Sequence, residues 1–255
     1  MQPQFVARHI STKNAVALVL SFAAGCVDAI GYVAIYKIFA ANMTGNTVQL
    51  ARTSVQTDLA EAAKAAAVLA AFLLGSLIGR SIIEIGSRTK VRSIASATLL
   101  LEAALIAAVV PLGGSHPDRS GAVLGLFALL AAAMGIQTAT LTGIGPLTVH
   151  TTFVTGMVNK TAQLISRIMF RAYDLRRSAS ANAAGRRDQK DEVEMTLFLS
   201  GVWLCYIVGA AAGTWSFAFL GLRTLFIAVA LLAIALITDQ FRPLSVLEEI
   251  EQSEG

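Results

Sequence analysis

Ser120 to Val149 is a run of 30 residues without a single Asp, Glu, Lys or Arg. A helix needs about 20 apolar residues to cross the hydrocarbon core of a bilayer. The same test finds further runs along the chain. Residues 14–36 contain one charge, Asp28. Residues 65–79 contain none and extend to a helix of about 62–84. Residues 93–112 contain only Glu102. Residues 195–238 contain only Arg223, and those 44 residues are enough for two helices joined by a tight turn near Phe219–Arg223. These runs predict six transmembrane helices in a single membrane domain over residues 1–255.

Composition agrees. Hydrophobic residues make up 55% of the chain and charged residues 14%, with a mean hydropathy of +0.66. A soluble domain carries about 25% charged residues, so a soluble enzyme, a disordered chain and a nucleic-acid binder all fit poorly. The net charge of +4 lies in loops between apolar runs, so the expected partner is the lipid bilayer and no nucleic acid. The run from Asn14 is longer than a signal-peptide core and lacks a small-residue cleavage site, which predicts a retained first helix. Cys26 and Cys205 sit inside apolar runs, which excludes a disulfide framework and a Cys-based zinc site and predicts buried free thiols.

Two further segments are compatible with helices but too polar to face lipid: 42–57, NMTGNTVQLARTSVQT, and about 151–173, TTFVTGMVNKTAQLISRIMFRAY. Polar backbone and side chains at membrane depth are tolerated where protein or a water-filled cavity surrounds them. These segments are therefore expected to re-enter the membrane or to cross it along a cavity.

Their surroundings match. Gly25-Cys-Val-Asp28-Ala leads to Met43-Thr44-Gly45-Asn46, and Gly135-Ile-Gln137-Thr-Ala leads to Val154-Thr155-Gly156-Met157. An apolar helix with paired glycines follows each, Gly75 and Gly79 in one case, Gly209 and Gly213 in the other. One more apolar helix closes each half. Four features in the same order predict a duplication, 14–112 and 120–238. The fold expected is thus an all-α, polytopic membrane bundle of two repeats. It has six clear transmembrane helices and two polar, broken or re-entrant Thr-Gly segments.

Lys and Arg mark the cytoplasmic side of a membrane protein. With re-entrant Thr-Gly segments, 15 basic residues fall inside and 5 outside, and the halves are inverted. With crossing segments there are eight spans and parallel repeats, and the count is 14 against 6. Both arrangements put the termini in the cytoplasm. Arg52 and Lys160 would be costly at mid-membrane, which favours six spans. Residues 174–194, with five basic and five acidic residues, are expected as a flexible cytoplasmic loop. The acidic end, 239–255, is expected as a solvated tail.

The motif Gly25-Cys-Val-Asp28-Ala-Ile-Gly31 followed by Met43-Thr44-Gly45-Asn46-Thr47, together with Gly135-Ile-Gln137 followed by Thr151-Thr-Phe-Val-Thr155-Gly156-Met157, resembles the YoaK family of uncharacterised bacterial membrane proteins. The resemblance spans roughly 14–238. It implies a bacterial inner-membrane protein and brings no established activity with it.

Function must then be sought among polar groups in apolar runs. Burying a carboxylate at mid-membrane costs ~2.5–3.5 kcal/mol or more, which makes Asp28 the leading candidate for solute or ion binding. Its counterpart in the second half is Thr138, beside Gln137. Thr44, Gly45, Asn46, Thr47, Thr155, Gly156 and Asn159 belong to the Thr-Gly segments. Broken helices of this kind bind solutes or ions near the midplane of repeat-built transporters. Glu102 is a candidate proton-coupling group or a structural hydrogen-bonding partner. Gly75, Gly79, Gly209 and Gly213 are expected at helix contacts, within the chain or in a homo-oligomer. Arg80 and Glu84 are expected as an interfacial pair, and His150 as a structural histidine. No metalloprotease, hydrolase, phosphate-loop or Cys/His metal motif is present, so neither catalysis nor a cofactor nor a metal is expected. The leading expectation is a transporter-like or channel-like protein for a small solute, with a site between the repeats. The alternative is a non-transporting scaffold or sensor that uses its glycine-rich faces.

Overall fold

The computed structural model describes residues 3–34, 39–115, 120–140, 143–144, 147–148, 151–152, 154–177 and 183–244. Among them the helices are α1 (Pro3–Ala34), α2 (Met43–Val55), α3 (Leu59–Arg88), α4 (Ile94–Ser115), α5 (Ser120–Thr140), α6 (Val154–Arg177), α7 (Ala183–Leu220) and α8 (Leu225–Phe241). A ladder of two residues per strand, β1 (Gly143–Ile144) and β2 (Leu147–Thr148), follows α5. It is a small departure from the all-α expectation.

Five stretches are long and apolar enough to cross a membrane: Thr12–Ala34, Leu59–Arg88, Ile94–Gly113, Val123–Thr140 and the 50-residue Glu192–Phe241. The protein therefore belongs in a bilayer. The last stretch contains α7 from Glu192 onward and α8, separated by a 3-10 turn, Gly221–Thr224, in which Gly221 takes φ 56. That left-handed conformation costs glycine little and lets the chain reverse here. Asp58 caps α3, its side chain accepting from the Glu61 amide. This satisfies one of the amides that the first turn leaves without a helical partner.

Close backbone approaches organise the bundle. A methyl group on Gly25 of α1 would overlap the Tyr206 carbonyl of α7. On Gly209 it would overlap the Phe22 carbonyl, and on Gly213 it would press on Cys26. In the same way Gly135 of α5 meets the Phe72 carbonyl of α3, Gly75 meets Ala132, and Gly79 meets Ile136 and Ala139. Without a hydrophobic drive between helices in lipid, close packing through small residues is what holds such pairs together.

These contacts also fix direction. Phe22 with Gly209 and Cys26 with Gly213 advance together, so α1 and α7 run parallel; Gly75 with Ala132 and Gly79 with Ile136 make α3 and α5 parallel. The Arg242 guanidinium donates to Thr12 at 3.1 Å, and Ser96 donates to Asp239 at 2.6 Å. The start of α1, the start of α4 and the end of α8 therefore share one end of the bundle. Gly86 against Ile94 closes α3 and α4 into an antiparallel hairpin, so α3 and α5 run opposite to α1.

Two expectations need correction. The loop expected at 174–194 is largely helical, since α6 continues to Arg177 and α7 starts at Ala183. The tail expected from 239 begins inside the bundle: Asp239 is fully buried and accepts from the Leu244 amide at 2.7 Å as well as from Ser96. Such a carboxylate repays its desolvation through bonds that only the folded chain supplies. Residues 245–255 and His150 lie outside the described residues. Both cysteines are free thiols, Cys26 buried and Cys205 half-buried.

Candidate functional site

Asp28 sits on the buried side of α1, 3% exposed. Its Oδ2 accepts from the Tyr206 hydroxyl of α7 at 2.5 Å, and its Oδ1 accepts from the Ala41 amide at 2.8 Å. The second bond returns the chain from the end of α1 to the level of Asp28 before α2 begins. Asn46 holds the same approach, its Nδ2 donating to the Phe39 carbonyl at 2.7 Å and its Oδ1 accepting from the Phe39 amide at 3.2 Å. Asn42 then caps α2 by accepting from the Gly45 amide at 3.1 Å. A short polar helix thus starts beside a buried carboxylate and leads away from it.

Other groups hold the start of α6. The Gln137 Nε2 donates to the Leu20 carbonyl at 2.8 Å and to the Thr151 hydroxyl at 3.0 Å. The Thr138 and Thr152 hydroxyls share a hydrogen bond of 2.6 Å. These bonds tie the start of α6 back to the end of α5.

Between the two helix starts lies a cavity of about 510 Å³. Asp28, Phe39, Ala41, Asn42, Met43, Thr44 and Phe72 line it from the first half. Thr138, Thr152, Val154, Thr155 and Tyr206 line it from the second. The site draws on α1, α3, α5 and α7 as well as on the two polar segments.

Of the residues singled out from sequence, Asp28, its counterpart Thr138, Thr44 and Thr155 reach this cavity. Asn46 and Gln137 are buried but spend hydrogen bonds on backbone. The Thr47 hydroxyl donates to its own helix at the Met43 carbonyl, and Thr47 and Asn159 are exposed. Gly45 and Gly156 fall in the first turns of α2 and α6. Glu102 is elsewhere, fully buried on the α4 face that carries Leu99, Ile106 and Val109, with no hydrogen-bond partner for either oxygen among the described residues. Arg80 and Glu84 form an exposed pair at 3.8 Å, with Arg88 closer to the same carboxylate at 2.9 Å. Among the described residues no group of three His, Cys, Asp or Glu side chains is placed to hold a metal ion.

Sequence reasoning missed Tyr206, Phe72 and Thr152. A signal existed for the first two. Phe72 lies three residues before Gly75 and Tyr206 three before Gly209, so each occupies the same place on its glycine-paired helix.

A family model described as a protein of unknown function, DUF1275, matches residues 16–238. The chain belongs to the DUF1275 family. It is also similar to the UPF0700 transmembrane protein YoaK of Bacillus subtilis (strain 168), with 28% identity over 158 residues, 62% of this chain and 69% of that protein. No solved structure matches it. The matched DUF1275 region runs from α1 to the end of α8 and includes every residue that lines the cavity.

Proposed function

We propose that this DUF1275 protein is a transporter-like or channel-like protein, rather than an enzyme, that takes a small solute into the cavity between two inverted repeats. The observation that carries the reading is the cavity itself. Two polar segments start there from opposite halves, beside a buried carboxylate, in a chain whose other helices are apolar. Irregular backbone at membrane depth is stable where it lines such a space.

The duplication is supported by matched contacts. Gly25 meets Tyr206, Gly209 meets Phe22 and Gly213 meets Cys26, just as Gly135 meets Phe72, Gly75 meets Ala132 and Gly79 meets Ile136. Each half docks onto the other through the same positions. The helix directions support six crossings, by α1, α3, α4, α5, α7 and α8, with α2 and α6 re-entrant. The excess of Lys and Arg on one side supports cytoplasmic termini, and the resemblance to the YoaK family implies a bacterial inner membrane.

The scaffold alternative loses its main support. The glycine faces it would offer to partners are taken up by contacts within the chain. The test is flux of a panel of small solutes into proteoliposomes with wild type and Asp28→Asn. Flux that wild type supports and the variant loses is expected; folded wild type that moves no solute overturns the reading.

A further inference from the structure

The chemistry lining the cavity is one-sided. Among the described residues the lining includes one carboxylate, Asp28, three aromatic rings, those of Phe39, Phe72 and Tyr206, and no Lys, Arg or His. We propose that the cavity binds a small organic ammonium cation, with its charge on Asp28 and its alkyl groups against the aromatic rings; this rests on the transport reading above only for its consequence, since binding is measured separately from flux.

The Asp28 carboxylate accepts from the Tyr206 hydroxyl and the Ala41 amide, with the Ala40 amide a further backbone donor. A carboxylate has about four acceptor positions, so one remains for a cation. An isolated carboxylate in a low-dielectric setting is expensive, and a bound cation neutralises it. Aromatic faces attract cations through their quadrupoles, and quaternary ammonium groups are commonly recognised in this way.

The positive end of α2 does not reverse the sign. Its approach already bonds Asp28 through the Ala41 amide, and the Gly45 amide is taken by Asn42. At the start of α6 the Thr152 hydroxyl is paired with Thr138. Inorganic anions would have to displace these partners beside a fixed negative charge. A neutral solute would leave that charge without its counter-ion.

The test uses the full chain in phosphatidylglycerol nanodiscs, which contain no choline head groups. Binding is measured calorimetrically for choline, for its neutral isostere 3,3-dimethylbutan-1-ol, and for the anionic isostere 3,3-dimethylbutyrate. Choline is expected to bind at least about tenfold more tightly than either isostere. Asp28→Asn keeps an acceptor for the Ala41 amide, and should weaken choline binding by at least about tenfold. Phe72→Leu leaves the Asp28 hydrogen bonds in place and should weaken it by about threefold or more. Should the Asn variant fail to fold, the isostere series and Phe72→Leu decide alone.

Equal binding of the alcohol, preference for the carboxylate, or no choline binding by folded wild type overturns the cation site. Choline binding with no flux of any solute would keep the cation site and remove transport. Flux of another solute without choline binding would do the reverse.

Discussion

Asp28 and Tyr206 are 178 positions apart, and the 2.5 Å hydrogen bond between them crosses the contact of α1 with α7 at the wall of the cavity. It joins the first helix of one half to the glycine-paired helix of the other. In the related contact Thr138 and Phe72 take the corresponding places, with no carboxylate and no hydroxyl on the ring. One wall of the cavity is therefore acidic and the other is not.

Replacing Tyr206 by Phe keeps the ring and removes the hydroxyl. Hydrogen bonds between membrane helices contribute about 0.6 kcal/mol on average and up to ~1.7. A loss in that range is expected in thermal or denaturant unfolding of the purified protein. A Tyr206→Phe variant as stable as wild type would mean that the bond holds nothing together.

The glycine contacts make a sharper demand. Gly75→Ala and Gly209→Ala put a methyl group into the backbone of Ala132 and of Phe22, so helices must move apart. Overpacking of this kind costs about 1–3 kcal/mol or more. Gly125→Ala is the control, because nothing lies within 4 Å of the added methyl, and it should be neutral or slightly stabilising. Melting temperatures of the three variants, read beside their size-exclusion profiles, check the contrast.

Glu102 has two buried oxygens without partners among the described residues. Removing a polar group that bonds nothing, in favour of an apolar one of similar size, is close to neutral or stabilising. Glu102→Leu should therefore melt at or above the wild-type temperature. A marked drop would show that the carboxyl has a partner after all. A proton-coupling role predicts in addition that Glu102→Leu and Glu102→Gln lose flux driven by a pH gradient and keep exchange without one.

Helix direction can be read in cells. Reporter fusions after residues 57, 88 and 116 should report outside, cytoplasm and outside for six crossings. A cytoplasmic signal at 57 would require α2 to cross, against the shared end of α4 and α8 marked by Ser96 and Asp239.

The candidate site was partly legible in the sequence. Asp28, Thr44 and Thr155 stood out because a polar side chain in an apolar run carries a desolvation cost that calls for an explanation. The same logic selected Asn46, Gln137 and Glu102, for which it was incomplete: it detects the cost but not what offsets it. Asn46 and Gln137 are repaid by backbone groups of Phe39 and Leu20. Glu102 faces an apolar interface. Tyr206 and Phe72 are ordinary residues of apolar helices, and nothing local distinguishes one that faces a cavity from one that faces lipid.

Residence in the bilayer and the positions of its long apolar stretches were determined by the sequence itself, because the cost of placing charge in hydrocarbon adds up residue by residue along a single helix. So was the order of motifs in the two halves. Tertiary structure alone decided that α1 docks on α7 and α3 on α5, that α2 and α6 both start at one cavity, and that Asp239 belongs to the core. Those outcomes depend on which backbone a glycine admits and which donor a carboxylate meets. Such partners lie far apart in the chain and come together only when the helices pack.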